Sequence, residues 1–149
     1  MTETPTSAGP RTAPPGPPLT WWDRTRGAWL TAGVVVVGTA VVAVRDPHVA
    51  GSYGVCPLVL ATGLSCPACG GLRATHDLAH GDLAGAWGSN PLWVLLVPVL
   101  VVLWAWWLLR RSRGREARLP AWTAWVFLGL VLVFGVLRNV PALAVWLGP

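Results

Sequence analysis

The sequence predicts an all-α membrane protein with three transmembrane helices and a cysteine-bearing, interfacial or re-entrant helical segment between the first and second. Three observations carry this prediction. The 149 residues are 54% hydrophobic and 11% charged, where a soluble domain carries about 25% charged residues, and the mean hydropathy is +0.55. Apolar runs occupy residues 28–44, 92–109 and 120–138, each close to the length that crosses a hydrocarbon core. Tryptophan and arginine cluster at the ends of those runs, where amphipathic and cationic side chains meet headgroups.

The chain opens with MTETPTSAGPRTAPPGPPLT, too polar and too rich in proline to bury a core, so residues 1–27 are expected as a disordered tail. A signal anchor fits better than a cleavable signal peptide, because the apolar run begins late and is long. The first span, 28–44, is rich in valine. It ends at Arg45-Asp46-Pro47, and in lipid it is helical because every backbone group must be satisfied internally.

Residues 45–91 hold all three cysteines and all three histidines. Helical pieces are expected over Gly71–His80 and Leu83–Trp87, broken at Gly81-Asp82, with Asp82 capping the second piece. Asn90 is the expected N-cap of the next helix and Pro91 its first residue. The second span, 92–109, has no charge, and Pro98 is placed to kink it. An arginine-rich loop follows over 110–119, then the third span over 120–138. Residues 139–149 are apolar but too short to cross.

The five arginines between the second and third spans are the strongest inward-facing signal. They place the N-terminus in the cytoplasm, in agreement with Arg24 and Arg26, and the cysteine segment outside. All eleven basic residues are arginine. They lie beside apolar runs, which suits anionic lipid headgroups and not nucleic acid. The expected partners are the bilayer and a second membrane protein.

Cys66-Pro67-Ala68-Cys69-Gly70 has the form of a metal knuckle. Proline pre-sets φ and glycine permits the left-handed bend that aims both sulfurs at one point. Three readings of this turn stay open. The cysteines are structural residues in a turn; or they form a disulfide, favoured by an outward-facing location. In the third, Cys56, Cys66 and Cys69 bind zinc or iron with His76 or His80 as fourth ligand, a common zinc set. His76 and His80 are four apart and share a helix face; with Arg73 and Asp77 they also describe an ordinary amphipathic helix. A thiol–disulfide oxidoreductase is the alternative function, with Cys69 at a helix N-terminus supplying the thiolate. No serine, cysteine or carboxylate catalytic set stands at recognisable spacing. Arg138 closes an apolar helix, where a cation either snorkels to the interface or finds a partner; Asp77 or Asp82 would be that partner, docking the loop on the bundle.

Cys56-Pro57, Thr62-Gly63, the Cys66–Gly70 turn, Leu72-Arg73, Gly81-Asp82, Ala86 and Asn90-Pro91-Leu92 together resemble the domain of unknown function (DUF) 2752 family. Arg138-Asn139-Val140-Pro141 is similar to that family's closing motif. Ala68 and Gly71 depart from its usual pattern, and the proline-rich tail lies outside it. The resemblance implies a polytopic bacterial plasma-membrane protein of unestablished activity and assigns no catalytic role.

Overall fold

The computed structural model describes residues 20–49 and 51–147. Those residues form seven helices and no strand: α1 (Trp21–Val44), α2 (Pro57–Thr62), α3 (Gly71–Ala79), α4 (Leu83–Ser89), α5 (Pro91–Ser112), α6 (Trp122–Arg138) and α7 (Pro141–Leu147). The tail expected over residues 1–27 lies outside the described residues as far as residue 19. Residues 21–27, assigned to that tail from their polarity, are instead the first turns of α1. A capping box starts them: Asp23 N–H donates to Thr20 Oγ1 at 3.2 Å while Thr20 N–H donates to Asp23 Oδ2 at 3.0 Å, which satisfies two of the orphan donors of the first turn.

Two helices, α1 with 24 residues and α5 with 22, are long and apolar enough to cross a membrane by length and composition. At about 1.5 Å per residue each exceeds a hydrocarbon core of roughly 30 Å. Within their most apolar windows only 11% and 6% of residues are buried. A core helix of a soluble protein would instead be covered. The third apolar helix, α6, has 17 residues and on the same arithmetic reaches about 26 Å.

The helices α1 and α5 run antiparallel. Trp104 Nε1 donates to Ala28 O at 3.1 Å, with the Trp29 and Trp104 rings edge to face at 6.3 Å. Trp107 lies against Gly27. The same end of the molecule thus holds the start of α1 and the close of α5. At the other end, α3 and α4 pack as a short hairpin against the end of α1 and the start of α5. Here the buried residues are largely small or polar: Ala74 and Ala86 among the former, Asp77, Asn90 and Arg138 among the latter. The apolar surface faces outward along the long helices, while polar side chains organise the cap that joins their ends.

Local chemistry sets the cap's breaks. Asp82 Oδ1 accepts from Gly85 N–H at 2.8 Å, and Asn90 Oδ1 accepts from Trp93 N–H at 3.0 Å, with Pro91 at the first turn of α5. Both caps stand where the sequence places them. The helix α2 has no counterpart in the sequence reading. Pro57 opens it and Gly63, at φ 71°, closes it.

Candidate functional site

Three short segments converge where α2, the Cys66–Gly70 turn and the end of α6 meet. Cys56 is the N-cap residue of α2; its thiol makes no capping hydrogen bond, but the backbone N–H groups of Leu58 and Val59 act on it. The turn is closed by Cys69 N–H donating to Cys66 O at 3.1 Å and Gly71 N–H to Ala68 O at 2.9 Å. Gly70 then enters α3 at φ 79°. The result brings one sulfur each from Cys56, Cys66 and Cys69 within 4.8 Å of one another, with the Cys66 and Cys69 sulfurs 3.0 Å apart. All three side chains are half-buried.

The turn carrying these sulfurs is held from behind by three side chains. Asn90, buried at the start of α5, donates through Nδ2 to Pro67 O and Cys69 O, both at 3.0 Å. Arg138, 2% exposed at the end of α6, donates to Cys69 O at 2.7 Å and to Ser89 O at 3.3 Å. Asn139 clasps the backbone of Ser65, accepting from its N–H and donating to its C=O at 2.9 Å each. Pro67 meets α6 closely: a methyl group on Gly135 would lie 3.3 Å from Pro67 Cδ. Of the residues singled out from the sequence, Cys56, Cys66, Pro67, Cys69, Gly70, Asn90 and Arg138 are thus assembled in one place. Pro91 sits beside them as the opening residue of α5.

Arg138 does anchor the cysteine turn to α6, though through backbone carbonyls and not through the expected carboxylates. Asp77 is occupied by His48 Nε2 at 2.8 Å and Ser89 Oγ at 3.1 Å, and Asp82 caps α4. Arg73 lies away from the sulfurs, donating from Nε to Pro47 O at 3.4 Å.

The expected fourth ligand, His76, is not part of the sulfur group. Its Nδ1 is 2.9 Å from Val42 O at the end of α1, and its ring packs against those of His80 at 4.3 Å and His48 at 5.9 Å. Spacing of four residues put His76 and His80 on one face of α3, as expected. That face is turned toward α1 and not toward the cysteines. His48, which the sequence reading passed over, ties the loop after α1 to α3 through Asp77. Gly135 and Ser89 carry no sequence signal either: Gly135 gives room to the Pro67 ring, and Ser89 offers its hydroxyl to Asp77 and its carbonyl to Arg138.

The surroundings separate the thiols. Backbone N–H groups of Val59 and Leu58 at the head of α2 lower Cys56 to about 7, as a helix N-terminus stabilises an anion. Burial pushes Cys69 up to about 12, and the adjoining Cys66 thiol adds to the shift. Cys56 therefore ionises more readily than Cys69, whereas the sequence pointed to Cys69 as the thiolate. In reduced, metal-free protein, iodoacetamide labelling of Cys56 is expected to rise through about pH 7, ahead of that of Cys69. Peptide mass spectrometry across a pH series reads this order, and Cys69 labelling ahead of Cys56 would contradict it.

Residues 56–104 match the family model described as protein of unknown function (DUF2752), the family the sequence motifs resemble. The matched stretch covers all three cysteines, α3, α4 and the larger part of α5. No curated protein and no solved structure matches the chain.

Proposed function

We propose that this chain is a multi-pass protein of a bacterial plasma membrane that presents a three-thiolate metal centre at one end of its helices to a membrane partner. The observation that carries the proposal is the convergence of Cys56, Cys66 and Cys69 within 4.8 Å. A tetrahedral zinc with Zn–S bonds of about 2.3 Å separates its sulfurs by about 3.8 Å, so modest side-chain rotation about a single ion closes the set. Thiolate ligands suit zinc or iron. With three sulfurs and no histidine beside them, the fourth position is open to water, to a substrate or to a ligand from the partner; closed structural zinc sites supply all four ligands themselves.

Binding requires deprotonation of all three thiols. Cys56, lowered to about 7, is roughly half ionised at neutral pH, whereas Cys69, raised to about 12, must release its proton to solvent as the metal binds. Affinity therefore rises with pH. In the same reading α1, α5 and α6 cross the bilayer, α6 assisted by interfacial Trp122 and Trp125. The N-terminus and the arginines of 110–118 face the cytoplasm, and the sulfur centre faces outward.

Protein purified from membranes in a chelator-free detergent buffer is expected to hold close to one zinc or iron per chain. Cys66→Ser should remove it and His76→Ala should leave it in place. Metal analysis giving no bound ion, or loss in His76→Ala equal to that in Cys66→Ser, would overturn the ligand set.

A second reading rests on the lowered Cys56 thiol and the 3.0 Å approach of the Cys66 and Cys69 sulfurs. In a thiol–disulfide oxidoreductase, Cys56 thiolate would attack Cys66 of a Cys66–Cys69 disulfide. The new bond is Cys56–Cys66, and Cys69 leaves with the electron pair. The raised Cys69 makes it a poor leaving group, which ranks this reading second. A mixed disulfide trapped between a partner protein and a Cys56→Ser/Cys69→Ser chain, which keeps Cys66 alone, would promote it.

A further inference from the structure

The end of the molecule opposite the sulfurs carries a second arrangement. Helix α5 ends with Gly114 at φ 70°, Gly114 N–H bonding to Arg111 O at 3.0 Å and Arg115 N–H to Arg110 O at 2.9 Å, a Schellman-type close. Arg113 N–H takes Leu109 O at 3.3 Å. The last carbonyls of α5 are thus satisfied by backbone donors, and the arginine side chains are not needed as caps. The turn folds Arg113 and Arg115 back beside Arg110 around a cleft of about 250 Å³, whose other walls are Trp106 and Leu109. Arg110 stacks over the Trp106 ring at 5.2 Å, which fixes one wall.

A further arginine stands beside the turn, contributed by α1. Arg24 reaches across to this turn, its Nη1 3.1 Å from where a methyl group on Gly114 would stand. Its Nε is sealed from solvent and has no hydrogen-bond partner among the described residues. Among those residues no carboxylate lies within salt-bridge distance of Arg24, Arg110, Arg113 or Arg115. Glu116 is taken by Arg118 at 3.0 Å, and Asp23 is committed to the cap at Thr20. Three cations therefore line the cleft, a fourth, Arg24, stands beside the turn at Gly114, and no anion among the described residues neutralises them.

We propose that this cleft binds the phosphate diester of an anionic lipid, one headgroup per chain, with Arg110, Arg113 and Arg115 around the phosphate and Arg24 behind it. Guanidinium forks match phosphate oxygens in geometry and charge. The chemistry required is a phosphate group; the lipid source is favoured by the apolar walls, Trp106 and Leu109, which continue into the outward-facing apolar surface of α5 and leave a path for acyl chains. The assignment rests on α5 lying in a bilayer and is independent of the metal reading.

The test is native mass spectrometry of the full chain in non-ionic detergent with equal phosphatidylglycerol and phosphatidylcholine, and with inorganic phosphate in a separate arm. One phosphatidylglycerol per chain should be retained in preference to phosphatidylcholine. At about fivefold per arginine near a membrane surface, Arg113→Gln/Arg115→Gln should weaken that retention roughly twentyfold or more. Arg45→Gln, at the sulfur end, should not change it, and circular dichroism should show both variants as helical as the parent. Equal retention of the two lipids, or retention unchanged in the double variant, would overturn the site. Displacement of the lipid by millimolar inorganic phosphate would overturn the lipid assignment in favour of a free anion. Extraction of the chain from membranes by alkaline carbonate would instead sink the membrane reading, and this arm tells the two failures apart.

Discussion

Arg138→Met is expected to destabilise the protein by roughly 3 kcal/mol and to release the cysteine turn from α6. The guanidinium is 2% exposed and makes a short charge-assisted bond to Cys69 O, 2.7 Å, and a longer one to Ser89 O, 3.3 Å. Bonds from a charged donor contribute about 1.5–3 kcal/mol each, and removing the donor strands buried acceptors. Methionine keeps an apolar side chain at the site but removes the guanidinium, with its carbonyl bonds and its contact with the Phe134 ring at 5.8 Å. Asn90 still holds Cys69 O, which keeps the effect below total unfolding. Lysine should recover only part of the loss, since a single ammonium does not span two carbonyls in fixed directions as the guanidinium fork does. Thermal unfolding in detergent reads the stability, and maleimide labelling of Cys69 at pH 7 reads the turn. Labelling should accelerate in Arg138→Met. A variant within about 0.5 kcal/mol of the parent, a change typical of neutral surface substitutions, with Cys69 still protected, would refute the anchoring role.

Gly70→Ala should cost a similar amount through the backbone. Two separate effects meet at this residue. Its φ of 79° lies in the left-handed region, where a side chain costs about 1–2 kcal/mol. A methyl group there would also overlap Ser89 O, the carbonyl that Arg138 holds. Gly63 is the control. It has φ 71° and nothing within 4 Å of an added methyl group, so Gly63→Ala carries the conformational cost alone. Overpacking adds about 1–3 kcal/mol, and Gly70→Ala should be the worse of the two by about that margin. Equal melting temperatures for the two variants would show that the turn and the α4–α5 junction are not in contact as described.

Much of the cap was legible because its signals are local. Asp82 and Asn90-Pro91 announce helix starts by side-chain chemistry acting within three residues, and Cys66–Gly70 announces a turn by the φ preferences of proline and glycine. The start of α1 was legible in principle from Thr20 and Asp23 at capping-box spacing, but the polar run around them read as tail. What the sequence hides is how separate segments meet. The anchor points for Arg138, Asn90 and Asn139 are backbone groups of Ser65, Pro67, Cys69 and Ser89, which any residue would supply, so no residue type marks them. The misplacement of His76 has the same origin. Helical spacing gives a shared face for His76 and His80, yet which neighbour that face meets depends on the packing of α3 against α1. The outward-facing apolar helices, by contrast, follow directly from composition.

The two ends of the molecule differ in their demands on the chain. At the sulfur end, polar clamps from α5 and α6 hold a turn that carries no apolar core of its own. At the arginine end, Arg24, Arg110, Arg113 and Arg115 gather with no carboxylate of the described residues within salt-bridge distance. Both arrangements are placed by the antiparallel pairing of α1 and α5.

Sulfur-coordination by the three cysteines is tested most directly by X-ray absorption at the metal edge on protein purified from membranes. The expected spectrum for a zinc-loaded chain has three sulfur neighbours at about 2.3 Å and one lighter neighbour, nitrogen or oxygen, near 2.0 Å. A shell made only of nitrogen and oxygen, or a sample whose cysteines are oxidised to a disulfide and hold no metal, would contradict the three-thiolate centre.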